Sequence, residues 1–200
     1  MNKSDVKQSL KLYGLTVVAT FFNLLIYFSF MSVVTLLADD KGVVPPGAVA
    51  AANVTALILQ AMLFVIILYG PMWKYGNHDI NAVKYGRRAE DKWRGLKIGL
   101  IAAVPSILAY VVLVADKLFG FWKSCAAFYR LANVGLYPLV VWAFGPDVAA
   151  STAGVTLGGM LLAAVPILVM PTVATIAYRI GYADVLLMER LVYVHKKDEE

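Results

Sequence analysis

His78 beside Asp79 is the one place in this chain where an imidazole and a carboxylate adjoin. A base oriented by an acid is the beginning of an acid–base or nucleophilic site. Nothing in the sequence completes one. The other histidine, His195, is remote, neither histidine sits in H-E-x-x-H or another metal-ligand spacing, and there is no G-x-S-x-G and no glycine-rich phosphate loop. The His78–Asp79 pair therefore reads as a turn contact. Asp39 and Asp40 flank a turn leading to Pro45 and Pro46 and read as solvated loop charge. Cys125, the single cysteine, excludes an internal disulfide and reads as apolar packing around a thiol open to modification. No catalytic residue, metal or cofactor is expected, and the chain leans away from an enzyme. A lipid-modifying activity would lack a nucleophile.

Composition explains why chemistry is scarce. Hydrophobic residues make up 60% of the 200 residues and charged residues 16%, and mean hydropathy is +0.72. A water-soluble domain of this size exposes too much surface to hide so much apolar area. Four stretches, 12–38, 46–69, 98–115 and 154–178, lack any Asp, Glu, Lys, Arg or His. Each approaches or exceeds the roughly 20 residues that a helix needs to cross a hydrocarbon core, the third being the shortest. The expected fold is an all-α integral membrane protein with four transmembrane helices.

A fifth apolar segment, 119–146, fails the same test. Its uncharged part, Leu131–Gly145, is short and interrupted by Gly135 and Pro138, and extending it backwards draws Arg130 and Lys123 into lipid. Basic residues decide independently. Lys3, Lys7 and Lys11 precede the first span, Lys74, Lys84, Arg87, Arg88, Lys92, Arg94 and Lys97 lie between the second and third, and Arg179, Arg190, Lys196 and Lys197 follow the fourth. The other side receives only Lys41, Lys117, Lys123 and Arg130. The positive-inside rule then places both termini in the cytoplasm of a bacterial-type plasma membrane, and 119–146 becomes a re-entrant or interfacial element on the outer face. The net charge of +5 is explained by attraction to anionic inner-leaflet lipid, not by nucleic acid.

Within the spans, small and polar residues recur. The third opens with Gly95 and Gly99, the fourth with Gly154 and Gly158, and each continues to Ala-Ala-Val-Pro, ending at Pro105 and Pro166. G-x-x-x-G lets helix backbones approach closely, and the two copies run in opposite senses, a weak sign of an inverted repeat. Pro166 and Pro171 are expected to kink or break the fourth span, with Thr172 and Thr175 near the freed carbonyls. Asn23, Asn53 and Gln60 mark inward faces of the first two spans, as helix ties or pathway lining. Arg130 and Lys123 are candidates to meet an anionic solute or lipid head group outside.

The basic cytoplasmic loop, 70–97, is expected to turn near Gly76 to Asp79 and then form a short helix in which Arg87 pairs with Glu90 or Asp91. Arg87, Arg88, Trp93 and Arg94 form a candidate docking surface there. The tail, 181–196, is expected to be an amphipathic interfacial helix begun where Gly181 breaks the last span. Together these features suggest a small non-enzymatic transport or channel component acting as a homo-oligomer or in a hetero-complex. The alternative is a scaffold or accessory subunit that binds a partner through its loop and tail.

Overall fold

The computed structural model describes residues 3–39, 42–122, 124–145 and 152–183, and every regular element among them is helical. Two long helices, α1 (Lys3–Thr35) and α2 (Pro46–Lys84), run antiparallel. At 1.5 Å per residue they are about 50 and 58 Å long, so both outrun a hydrocarbon core of about 30 Å. The excess carries Asp5, Lys7, Lys74 and Asp79 at one end of the bundle, called here the basic end. Next come α3 (Arg94–Ala102) and α4 (Val104–Phe119), then α5 (Cys125–Ala132), a 3₁₀ turn at Val134–Leu136, α6 (Tyr137–Phe144), a second 3₁₀ turn at Thr152–Gly154, and α7 (Leu157–Tyr182).

The chain is a membrane protein. Ser4–Thr35, Pro46–Lys84 and Leu157–Tyr182 are each long and apolar enough to cross a bilayer, and the α3–α4 pair adds a fourth crossing if its 57° bend is counted within one span. The outward faces are apolar to match: Leu10, Phe21, Ile66, Leu161 and Leu168 are each more than 60% exposed. Residues of that kind are left bare only where lipid or protein covers them.

The bend at Ala103 has a local cause. Pro105 has no N–H for the carbonyl of Ile101 and its ring crowds that oxygen, so α3 ends at Ala102 with the Ala103 N–H bonded to Gly99 O at 3.0 Å. α4 closes on Gly120, whose φ of 64° is a left-handed conformation that glycine adopts without strain. α7 begins with Thr156, whose hydroxyl accepts from the Gly159 N–H at 3.1 Å.

Several sequence expectations need correction. The break falls in the third span, whereas α7 runs uninterrupted through Pro166 and Pro171. α2 does not turn at Gly76 to Asp79 but continues to Lys84, because Gly76 sits inside a close helix contact where a chain reversal has no room. Residues 85–93 form no helix. Arg87 stacks over Tyr85, and the local ion pairs are Lys92–Glu90 at 3.1 Å and Lys97–Asp91 at 2.7 Å. Gly181 lies in the last turn of α7, which ends one residue later at Tyr182. Lys123 and the stretch from 184 onward, where the tail helix is expected, lie outside the described residues.

Two hydrophobic cores lie along the bundle. One joins Leu12 and Ala19 of α1, Leu68 of α2, Ile98 of α3 and Tyr178 of α7. The other joins Leu113 of α4, Cys125 and Tyr129 of α5, Val140 of α6 and Met160 of α7. At the basic end α2 and α7 meet backbone to backbone, each helix presenting a glycine to the other. A Cβ on Gly76 would stand 2.2 Å from Tyr178 O, and one on Gly181 would stand 2.0 Å from Trp73 O. Gly95 and Gly99 likewise face α7, toward Tyr178 and Pro171. Gly154 has no neighbour within 4 Å and Gly158 only the Thr156 hydroxyl at 3.8 Å, so the close approach there is made by Gly159, against Ala143 O of the residue that precedes Phe144 in α6.

Candidate functional site

The polar side chains of the bundle gather in three layers. At the basic end, Asp79 and Arg94 are almost wholly buried, with exposures of 1% and 4%. Arg94 Nη1 donates to Asp79 Oδ2 at 2.6 Å, its Nε donates to Asp5 Oδ1 at 2.7 Å, and its Nη2 donates to Ser4 Oγ at 2.8 Å and also to Asp5. Asp79 accepts further from Arg88 Nη1 at 2.6 Å and from the Tyr178 hydroxyl at 2.8 Å. The Arg94 guanidinium lies 4.8 Å from the Tyr75 ring centre. Two arginines and two aspartates thus close a neutral network that ties α1, α2, α3 and α7 together. Because one charge left alone in such a place is costly, the members have to be held as a set.

This network changes the standing of the candidate docking residues. Arg94 points inward and Arg88 is engaged by Asp79. Arg87 and Trp93 remain outside, with Trp93 beneath the guanidinium of Arg179 at 4.3 Å. Asp79 turns inward from exposed His78, so those neighbours form no acid–base pair.

The middle layer is uncharged. Asn23 Nδ2 donates to Gln60 O at 3.4 Å and to Gly135 O at 2.7 Å, while Gln60 Nε2 returns a bond to Asn23 O at 2.9 Å. Asn23 and Gln60 are therefore the tie between α1, α2 and the 3₁₀ turn. Gly135 is where the turn presses in: a Cβ there would stand 2.7 Å from Thr20 Oγ1 and 2.8 Å from the Phe64 ring. Beside the turn lies a cavity of about 40 Å³ whose polar lining is Thr16, Thr20, Ser106 and Asn133 and whose apolar wall includes Pro166 and Met170. A water needs on the order of 10–15 Å³ by that measure and two or more polar partners, so a few waters fit. Of the other hinge and pathway candidates, Pro171 packs on Gly99, Asn53 is buried, and Pro105 and Thr172 face outward.

At the third layer Arg130 is 3% exposed. Its Nη2 donates to Gly145 O at 3.1 Å, its guanidinium lies 5.7 Å from the Phe144 ring centre, and its Nε and Nη1 have no hydrogen-bond partner among the described residues. Asp116, also buried, accepts from the Trp122 N–H at 2.7 Å and from the Thr152 hydroxyl, and so pins the loop after α4 to the second 3₁₀ turn. The Tyr129 hydroxyl donates to Ala163 O, and that of Tyr110 to Met160 O at 3.0 Å, fixing α5 and α4 to α7.

Cys125 is fully buried. Burial, and then the charge of Asp116, push its thiol up, which leaves little reactive thiolate at neutral pH. Maleimide is expected to modify it at least tenfold more slowly in folded protein than in denaturant. Equal rates would mean that α5 does not pack as described. A cysteine placed at Phe119, 79% exposed, is the better reporter of sidedness.

Among the described residues no group of three or more His, Cys, Asp and Glu side chains could hold a metal ion. The sequence pointed to Arg88, Arg94, Asn23, Gln60 and Arg130 but missed Asp5, Asp79 and Tyr178 as their partners. A weak signal existed: Asp5 and Asp79 are acidic residues among the lysines that flank the first two uncharged spans on the basic side. No protein-family model, no curated protein and no solved structure matches this chain.

Proposed function

We propose that this is a small non-enzymatic transport or channel component of a cytoplasmic membrane, working as an oligomer or within a complex. In this reading α1, α2, the α3–α4 pair and α7 are four crossings, both termini and the basic end are cytoplasmic, and α5, the 3₁₀ turn and α6 form a hairpin that re-enters from the outer face. The observation that carries it is the bond from Asn23 to Gly135 O. Asn23 lies near the middle of the apolar run 12–38, so the bond draws irregular backbone to membrane mid-depth. Backbone of that kind is tolerated there only where protein buries it or a water-filled space adjoins it. The polar-lined cavity supplies the space.

The rest of the path follows from the layers. Above the cavity the free nitrogens of Arg130 favour an anion. Below it the neutral ion network closes the basic end, so the arrangement is that of a shut state. Opening would require the hairpin to shift against α7, and the bend at Ala103 lets α4 move with it while α3 stays on α7.

The test is flux of small anions, cations and neutral solutes into liposomes. Chloride-class anions are expected to pass, Arg130→Gln to cut their flux by about tenfold, and Thr20→Val with Asn133→Leu to abolish it while thermal unfolding stays unchanged. Absence of flux for every solute, together with a co-purifying partner that is lost on deleting residues 184–200, would overturn transport in favour of the scaffold reading.

A further inference from the structure

Lys11 and Lys74 have no use in any of the layers above. They stand on α1 and α2 at the basic end, and with Gln8, Gly70, Pro71, Tyr75 and His78 they line an open groove of about 480 Å³. The carboxylates that would neutralise them are already committed: Asp5 faces Arg94, and Asp79 faces Arg94 and Arg88. Among the described residues neither lysine, nor His78, takes part in an ion pair. The groove is therefore a concentrated positive charge on the outside of the bundle.

What lies beneath the charge identifies the occupant. Descending from Lys11 by helical steps gives Gly14, Val18 and Phe22, and descending from Lys74 gives Gly70, Ile66 and Met62. Val18, Phe22, Ile66 and Met62 are 49%, 48%, 67% and 55% exposed. Gly14 and Gly70 serve no helix contact, since a Cβ on either would meet nothing within 4 Å. They hollow the surface just under the lysines. A cationic cup above a hollow, with two apolar ribbons running on from it, matches an amphiphile in outline; a free anion would have no use for the ribbons.

We propose that α1 and α2 form a binding site for an anionic phospholipid, its phosphate between Lys11 and Lys74 with Gln8 and His78 beside it, and its acyl chains along the Val18–Phe22 and Ile66–Met62 ribbons. Basic pockets between helices on the cytoplasmic side recognise lipid head groups by this combination of charge and depth. The site goes beyond the transport reading and is independent of it.

The experiment is a titration of detergent-solubilised full-length protein with phosphatidylglycerol, read by native mass spectrometry, with phosphatidylcholine and glycerol 3-phosphate as comparison probes. Phosphatidylglycerol is expected to bind at least tenfold more tightly than phosphatidylcholine, and the double variant Lys11→Gln, Lys74→Gln to remove that preference. Lys92→Gln, an equal loss of charge elsewhere, is expected to leave it intact. Both lysines are exposed, so the variants should unfold at the wild-type temperature. Equal affinity for the two lipids, or a preference that survives the double variant, would overturn the proposal. Full competition by glycerol 3-phosphate would overturn it in a different way, by showing a site for a soluble anion. None of these outcomes depends on whether solute crosses the bundle.

Discussion

Asp79→Ala is expected to lower the stability of the folded protein by about 3–5 kcal/mol, the range found when one partner of a buried ion pair is removed and the other is left behind. The carboxylate holds two arginines and a tyrosine hydroxyl at once. Without it the buried Arg94 keeps only Asp5 and Ser4, and the region acquires an excess positive charge that water reaches poorly. Thermal and chemical unfolding in detergent would report the loss. Tyr178→Phe removes one donor to the Asp79 carboxylate and is expected to cost about 1.5–3 kcal/mol, the range for a hydrogen bond to a charged group. Replacing both charges, Asp79→Leu with Arg94→Met, is expected to recover part of the single variant's loss, because the ions then left without partners, Asp5 and Arg88, are less buried than Arg94. If Asp79→Ala unfolds within about 0.5 kcal/mol of wild type, the network is not closed in the way described.

Gly181→Ala and Gly76→Ala are expected to be nearly as severe, at about 3 kcal/mol or more each, for a reason unrelated to charge. The obstructing atoms are backbone carbonyl oxygens, at 2.0 Å from a Cβ on Gly181 and 2.2 Å from one on Gly76. No rotamer change can yield that space, so α2 and α7 must separate. Gly14→Ala provides the contrast. It has open space around it, and on an exposed helix face it should be neutral or stabilising by roughly 0.5–1 kcal/mol, from the lower conformational entropy of alanine. Size-exclusion profiles and unfolding midpoints of the three variants would separate these cases. Equal behaviour of Gly76→Ala and Gly14→Ala would contradict the helix crossing.

The spans were legible because lipid imposes a simple demand on sequence: long runs without charge. Those runs located the three helices long and apolar enough to cross and the bent α3–α4 pair, while the proline-interrupted stretch after Leu131 forms only short helical pieces. The helix ends were less legible. Gly76 and Gly181 look like helix breakers in a one-dimensional reading, but each is in fact the small residue that lets the other helix approach, and that partnership spans over a hundred positions. Asp79 carried the same ambiguity. Next to His78 it resembled turn chemistry, and only the arrival of Arg94 and Tyr178 from distant segments gives it a buried role. Pro105, Pro166 and Pro171 were alike in sequence, yet only the first accompanies a break. The third stretch there has α5 to pack against after the bend, whereas α7 stays continuous and packs against α2, α3 and α6.

The position of α7 has a consequence for biosynthesis. It contributes to both cores, supplies Tyr178 to the ion network and presents its backbone to Gly76, yet it is made after every other described helix. A nascent chain that has not reached Leu157 holds Asp79 without its hydroxyl donor, a bare glycine surface on α2 and α3, and α6 with nothing behind it. Insertion of the earlier segments therefore yields an unfinished particle, and quality control acting on this protein would have its clearest mark in whether α7 has docked.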